Sequence, residues 1–150
     1  IFPHPSTVAN PVKSWKEIKE DVFDMLFKIK NDEYRNKMWP SAYAMAHSQV
    51  FPNPKRFFVV NTKNDAIKKM FKDEVIINPE IVAENSEKFT SKEGCMSNPY
   101  AGIGKKLRFK SIKVEYLVKG WFFLHRRSEW VWGLKAAIFQ HEIDHLNGIC

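Results

Sequence analysis

The sequence predicts an α+β fold, with strands in the middle, a helix at each end and two histidines turned toward the interior. Three patterns predict it. Apolar residues recur at helical spacing near the N-terminus, alternate with polar ones in the middle, and return to helical spacing near the C-terminus. The first helix opens at Ser14, where Glu17 three residues on completes a capping-box pattern. Ile18, Val22, Met25, Leu26 and Ile29 then form one stripe, and Trp39-Pro40 ends the helix at the latest. Phe57-Phe58-Val59-Val60 and Val75-Ile76-Ile77 read as short strands, the second closed by Asn78-Pro79. Ile112, Val114, Tyr116 and Val118 alternate with Lys113, Glu115 and Lys119 as in a half-buried strand. The last helix is expected over 133–146, with Leu134, Ala137, Ile138, His141 and His145 on one face.

A chain of 150 residues with 44% apolar content fits one domain, 1–150, with its own core. No apolar run approaches the roughly 20 residues needed to span a bilayer; Trp121-Phe122-Phe123-Leu124 is too short. No membrane partner is therefore expected. Lys and Arg exceed Asp and Glu by 24 to 17, but the surplus is spread along the chain. The densest stretch, Lys105 to Lys110, is interleaved with apolar residues as an edge strand would be, which argues against a specific nucleic-acid site. Two cysteines, Cys95 and Cys150, and the lack of any Asn-x-Ser/Thr site agree with a soluble protein in a reducing compartment.

The chemistry concentrates in His141-Glu142-Ile143-Asp144-His145, an HExxH sequence. Residues four apart stack on successive helical turns, so both imidazoles can reach one ion. The adjacent Glu142 then lies close to any water on that ion. A catalytic ion of this kind usually takes three protein ligands and keeps an open position. Little chain follows His145, so the third ligand is sought upstream, in Glu93-Gly94-Cys95-Met96-Ser97. Gly94 permits close backbone approach, and the Cys95 thiolate binds first-row divalent metals strongly.

These motifs resemble those of the peptide deformylase family, which pairs an EGCxS strand with a QHExDHLxG helix. Here they are Glu93 to Ser97 and Gln140 to Gly148. The likeness extends to Ile1-Phe2-Pro3-His4-Pro5, to the first helix, and to Ile77-Asn78-Pro79-Glu80-Ile81. It implies a deformylase-like fold, with mixed or antiparallel strands around a core helix carrying HExDH and the N-terminal helix packed outside. A role in protein biosynthesis is implied with it: hydrolysis of the N-formyl group from formylmethionine at the start of nascent peptides, releasing formate. It also implies one divalent metal on Cys95, His141 and His145, Fe(II) in the cell, with Zn, Ni or Co able to substitute. Glu142 is then the proton-transfer residue, and Gln49 with the Met96 backbone N–H is expected to meet the formyl oxygen. Tyr43, Ala44, Gly94 and Met96 are expected to contact substrate. Glu93, Arg108 and Asp144 are candidates to orient the ligands. The peptide is the expected partner, with the ribosome a transient one. The implied location is a bacterial cytoplasm or a eukaryotic mitochondrion or plastid.

The family's glycine-rich first motif, GxGxAAxQ, aligns with Ala42 to Gln49, where Ala42 and Ala44 replace glycines and His47 replaces alanine. Gly102 stands where an arginine is common. The expectation is that these changes weaken substrate binding or turnover, through strain if Ala44 must leave an extended conformation, and that glycine at 42 and 44 with alanine at 47 would raise kcat/KM. If alanine fits an extended conformation, activity is normal. His47 reads first as a buried histidine satisfied by backbone, and otherwise as a substrate contact or a polar group near the ion. A deformylase-like protein with altered substrate or little activity is the alternative, and a zinc endopeptidase a more distant one.

Overall fold

A computed structural model describes residues 8–31, 43–94 and 103–149. Helix α1 (Trp15–Lys30) leads to strand β1 (Ala44–Ala46) and a 3-10 turn (His47–Gln49). Strand β2 (Phe57–Val60), the short helix α2 (Asp65–Met70), β3 (Val75–Glu84), β4 (Lys88–Gly94), β5 (Ile103–Phe109), β6 (Ser111–Lys119), β7 (Leu124–Trp132) and helix α3 (Gly133–Leu146) follow. The main sheet has the order β1-β2-β3-β6-β7, and β4 with β5 forms a separate two-stranded ribbon. All strand pairs are antiparallel. Among the described residues the parallel pairing is an isolated bridge between Asn10 and Lys55.

The main sheet carries a helix on each face, which explains why β2 is apolar at four successive positions. Phe57 and Val59 pack with Ile18, Val22, Met25 and Ile29 of α1. Phe58 and Val60 pack with Ala136, Phe139, Ile143 and Leu146 of α3. A strand covered on both sides loses the polar alternation that a half-exposed strand keeps. Strand β6 keeps it: Ile112, Val114, Tyr116 and Val118 face α3, while the residues between them are half-buried or exposed.

Two local readings of the sequence need correction. Ser14 is the N-cap of α1, but its side chain makes no capping bond. Glu17 instead accepts from the Lys13 backbone N–H at 2.9 Å and pairs with Lys55 at 2.6 Å, so the tertiary ion pair draws it away from the box. Helix α1 ends at Lys30, in agreement with an end at Trp39-Pro40 at the latest; Trp39-Pro40 itself lies outside the described residues.

Asn78-Pro79 does not close its strand. β3 runs on to Glu84, with a register shift between Ile77 and Glu80. Asn78 sits at φ 51, in the left-handed region that asparagine tolerates better than most residues. The Val12 N–H donates to its Oδ1 at 2.8 Å, and its Nδ2 donates to the Val12 carbonyl at 2.9 Å. The bulge thus clamps the N-terminal arm, and Pro79 has no N–H to leave unpaired.

Helix α3 has two faces. Ala136, Phe139, Ile143 and Leu146 form the core stripe. His141 and His145 lie on a different stripe with Ile138, and Leu134, at the start of the helix, is exposed. The C-terminus closes in a Schellman arrangement: Gly148 N–H bonds the His145 carbonyl at 3.1 Å and Ile149 N–H the Asp144 carbonyl at 2.8 Å. Gly148 takes φ 80, which glycine adopts without steric cost.

Replacing Asn78 with alanine removes both arm contacts and puts a Cβ without polar compensation at positive φ. The expected loss is about 2 kcal/mol of unfolding free energy. A lowered denaturant midpoint with an unchanged m-value would show it; an unchanged midpoint would count against the clamp.

Candidate metal centre

The two histidines of α3 meet at their Nε2 atoms, 3.0 Å apart, with the rings nearly perpendicular at 76°. Two nitrogens each about 2.0–2.1 Å from a tetrahedral ion would stand roughly 3.3 Å apart, so the pair is already near ligand spacing. His141 is held by its other nitrogen, Nδ1, which lies 2.8 Å from Glu93 Oε1. Such a carboxylate on the far nitrogen fixes the tautomer that leaves Nε2 free to ligate. Among the described residues no group of three histidine, cysteine or carboxylate side chains is placed to hold an ion. The expected third ligand, Cys95, lies outside them, as do Met96, Ala42 and Gly102.

Glu93 is itself held by a buried cation. Arg108 Nε and one terminal nitrogen donate to its two oxygens at 2.9 and 2.6 Å, and the other terminal nitrogen reaches Asp144 at 2.6 Å. Burial alone would lower the Arg108 pKa, but the Glu93 and Asp144 bonds outweigh it and raise it. Glu93 is held well below the usual carboxylate range, because the Arg108, His141 and Ser91 bonds overcome its desolvation. The three residues named from the sequence as candidate orienters thus form one network with His141. Gln140, quoted in the motif without a role, ties α3 to the same ribbon. Its side chain accepts from Phe109 N–H at 2.8 Å and donates to Phe109 O at 2.9 Å.

The two histidines differ in their surroundings. Burial tends to lower the His141 pKa, yet the Glu93 bond and the charges of Glu142 and Glu93 raise it overall. His145 is pushed down to about 3, first by burial and then by the charge of His141. Glu142 is buried and pushed up to about 7, chiefly by desolvation. Its Oε2 has no hydrogen-bond partner among the described residues. An orphaned carboxylate oxygen on the helix that carries two converging imidazoles fits a site that is completed by an ion and its water.

The 3-10 turn brings a second orphan to the same helix. Ser48 Oγ donates to the His145 carbonyl at 3.1 Å, a bond the sequence did not announce. Gln49 is buried; its Oε1 accepts from Ala46 N–H at 2.8 Å, which orients the amide, and Nε2 has no partner among the described residues. Ala44 is buried in β1, and Asn78 is the non-glycine residue with positive φ among those described. The strain expected at Ala44 is absent, because an extended strand accommodates alanine. Tyr43 is exposed, and its carbonyl accepts from Asn61 N–H at 2.8 Å.

His47 is the buried, backbone-satisfied histidine that its sequence position suggested. The Lys55 backbone N–H donates to its Nδ1 at 2.8 Å, and Nε2 lies 2.9 Å from Asp21 of α1. Its ring stacks on Phe51 with centroids 4.4 Å apart and lies against Phe57 at 4.7 Å. Burial lowers its pKa against the opposing pull of Asp21, favouring a neutral ring with the proton on Nε2. This histidine is a satisfied core residue that ties the turn carrying Gln49 to α1.

A family profile described as Polypeptide deformylase matches residues 3–150. The chain is 33% identical to the peptide deformylase of Christiangramia forsetii over 135 residues, covering 80% of this chain and 66% of that one. It is 38% identical to the peptide deformylase of Thermotoga neapolitana over 95 residues, covering 63% of this chain and 51% of the relative. The chain therefore spans between about half and two thirds of the length of these curated relatives. Among solved structures, peptide deformylase from Thermotoga maritima superposes with TM-score 0.74 at 30% identity, covering 98% of this chain and 87% of that chain. The enzyme from Vibrio parahaemolyticus bacteriophage VP16T, solved with actinonin, gives 0.74 at 28% identity, covering 98% and 93%.

Converting His47 to alanine should lower stability by about 2 kcal/mol or more, from the cavity and the unpaired Lys55 N–H. Because the ring anchors the turn, kcat/KM for formyl-Met peptides should fall with it rather than rise. A more active and equally stable His47→Ala protein would restore the strain account.

Proposed function

Since the chain belongs to the polypeptide deformylase family, we propose that it removes the N-formyl group from formylmethionine at the start of nascent peptides. The family is metal-dependent. The residues we assign to the ion are Cys95, His141 and His145, with Fe(II) the metal in the cell and Zn, Ni or Co able to replace it. A divalent ion held there supplies a Lewis acid that acidifies water and polarises the formyl oxygen.

The chain's own residues account for the proton movements. Glu142 takes a proton from the attacking water as its oxygen bonds to the formyl carbon. The carbonyl π pair moves to oxygen, and Gln49 Nε2 with the Met96 N–H stabilises that developing negative charge, each such donor worth a few kcal/mol. The C–N bond then breaks, its electron pair going to nitrogen. Glu142 delivers the proton to that amine, leaving formate and a free methionine N-terminus. A buried carboxylate with one oxygen free of hydrogen bonds among the described residues is suited to both halves, since it can accept the proton and return it. Tyr43, Ala44, Gly94 and Met96 are assigned to the substrate path, and the ribosome is a transient partner in this reading.

The observation that carries the proposal is the buried Glu142 oxygen, without a partner among the described residues, on the helix that pairs the histidine nitrogens. Glu142→Gln should retain the metal but release formate on the order of 100- to 10,000-fold more slowly, because an amide cannot shuttle the proton. Formate measured from a formyl-Met peptide, with metal content determined on the same samples, checks both halves. Equal rates in mutant and wild type would remove Glu142 from the mechanism.

A further inference from the structure

The hairpin between β6 and β7 ends in an aromatic point on which the hydrolytic reading places no demand. Trp121 is 94% exposed, Phe122 91% and Phe123 68%. Isolated exposed aromatics are ordinary, whereas three in succession at a turn leave a concentrated apolar surface in water. The point is built to hold its shape. β6 and β7 pair in unbroken register from Ser111↔Trp132 to Lys119↔Leu124. Gly120 N–H bonds the Phe123 carbonyl at 3.0 Å, closing the turn. The His125 ring covers Gly120 so closely that a Cβ there would lie 2.0 Å from it, and the same ring packs on Phe123 at 5.0 Å. Only glycine admits that approach.

The charge around the point has one sign. From residue 119 to 128 there is no Asp or Glu, while Lys119, Arg126 and Arg127 flank the aromatics. Lys119 lies over the Trp15 ring and Arg127 pairs with Asp73 at 3.4 Å. Arg126 is exposed, so its charge faces outward.

We propose that this hairpin tip docks the protein on an anionic lipid surface, with Trp121, Phe122 and Phe123 entering the headgroup region and the flanking cations meeting lipid phosphates. A four-residue apolar patch too short to span a bilayer has a suitable length for interfacial insertion, where amphipathic tryptophan is favoured. Basic residues close to such a surface add attraction that salt screens. A convex tip favours a soft lipid surface over single-stranded nucleic acid, which is bound in grooves with cations tracking its backbone. Strand β7 lies at the sheet edge opposite β1, so docking by this hairpin leaves the β1 side of the molecule clear. This departs from the expectation of no membrane partner, which considered only spanning segments.

Co-sedimentation of the full chain with vesicles of phosphatidylcholine and phosphatidylglycerol, about three to one, tests the proposal directly. Wild type should pellet with these vesicles, less with phosphatidylcholine alone, and less again in high salt. Replacing Trp121, Phe122 and Phe123 together by serine should weaken binding on the order of tenfold or more. All three side chains are exposed, so circular dichroism and the thermal midpoint should stay at wild-type values. If that variant does not fold, Arg126→Glu serves in its place and should lower binding to the anionic vesicles. Equal pelleting of wild type and variants overturns the proposal. So does tip-dependent binding to single-stranded RNA, or tip-dependent self-association, without any binding to vesicles.

Discussion

The site rests on the burial of one guanidinium. Arg108 is 7% exposed, and it stays charged because Glu93 meets it with two oxygens while Asp144 takes its remaining arm. Removing a charge from water costs several kcal/mol, so such a group persists only where its partners are fixed. The fixing works in both directions. β4 contributes Glu93, β5 contributes Arg108 and α3 contributes Asp144, so satisfying the cation locks the ribbon onto the helix. The same Glu93 oxygen that faces Arg108 holds His141 Nδ1, which turns Nε2 toward His145. Ligand direction at the candidate centre is thus a by-product of satisfying a buried cation.

Helix α3 shows why this arrangement needs two kinds of burial. Its core stripe is apolar and packs on the main sheet, which holds the helix without directional bonds. Its other side is polar yet also buried, and there nearly every group is bonded: Gln140 to Phe109, Asp144 to Arg108, the His145 carbonyl to Ser48. Among the described residues the buried side-chain atoms without a partner are one Glu142 oxygen, the Gln49 amide nitrogen and Arg56 Nε. An unsatisfied buried polar atom costs roughly 1–3 kcal/mol, and its retention beside a set of otherwise matched groups is the mark of atoms reserved for a ligand or reactant.

Much of this was legible beforehand. The α1 stripe, β2, β6 and the full extent of α3 followed from periodicity, because each buries a regular set of apolar positions. The pairing of histidines followed from four-residue spacing alone. Strand β7 was not legible: as an edge strand it carries mostly exposed side chains, so Leu124 to Trp132 shows no clean alternation. The continuation of β3 through Asn78-Pro79 was hidden because a turn signal served a bulge, with the polar side chain spent on Val12. His47 was legible as a buried histidine satisfied by backbone, but its particular partners were not. Those partners, Asp21 and the Lys55 N–H, are made by folding and leave no trace in local sequence.

The central claim is that the helix pair His141 and His145 shares one ion with Cys95. X-ray absorption at the zinc edge of the zinc-loaded protein addresses it most directly. The account predicts one sulfur scatterer at about 2.3 Å and two imidazole nitrogens at about 2.0–2.1 Å, with the sulfur lost in Cys95→Ala. A first shell of nitrogen and oxygen alone in the wild-type protein would contradict it.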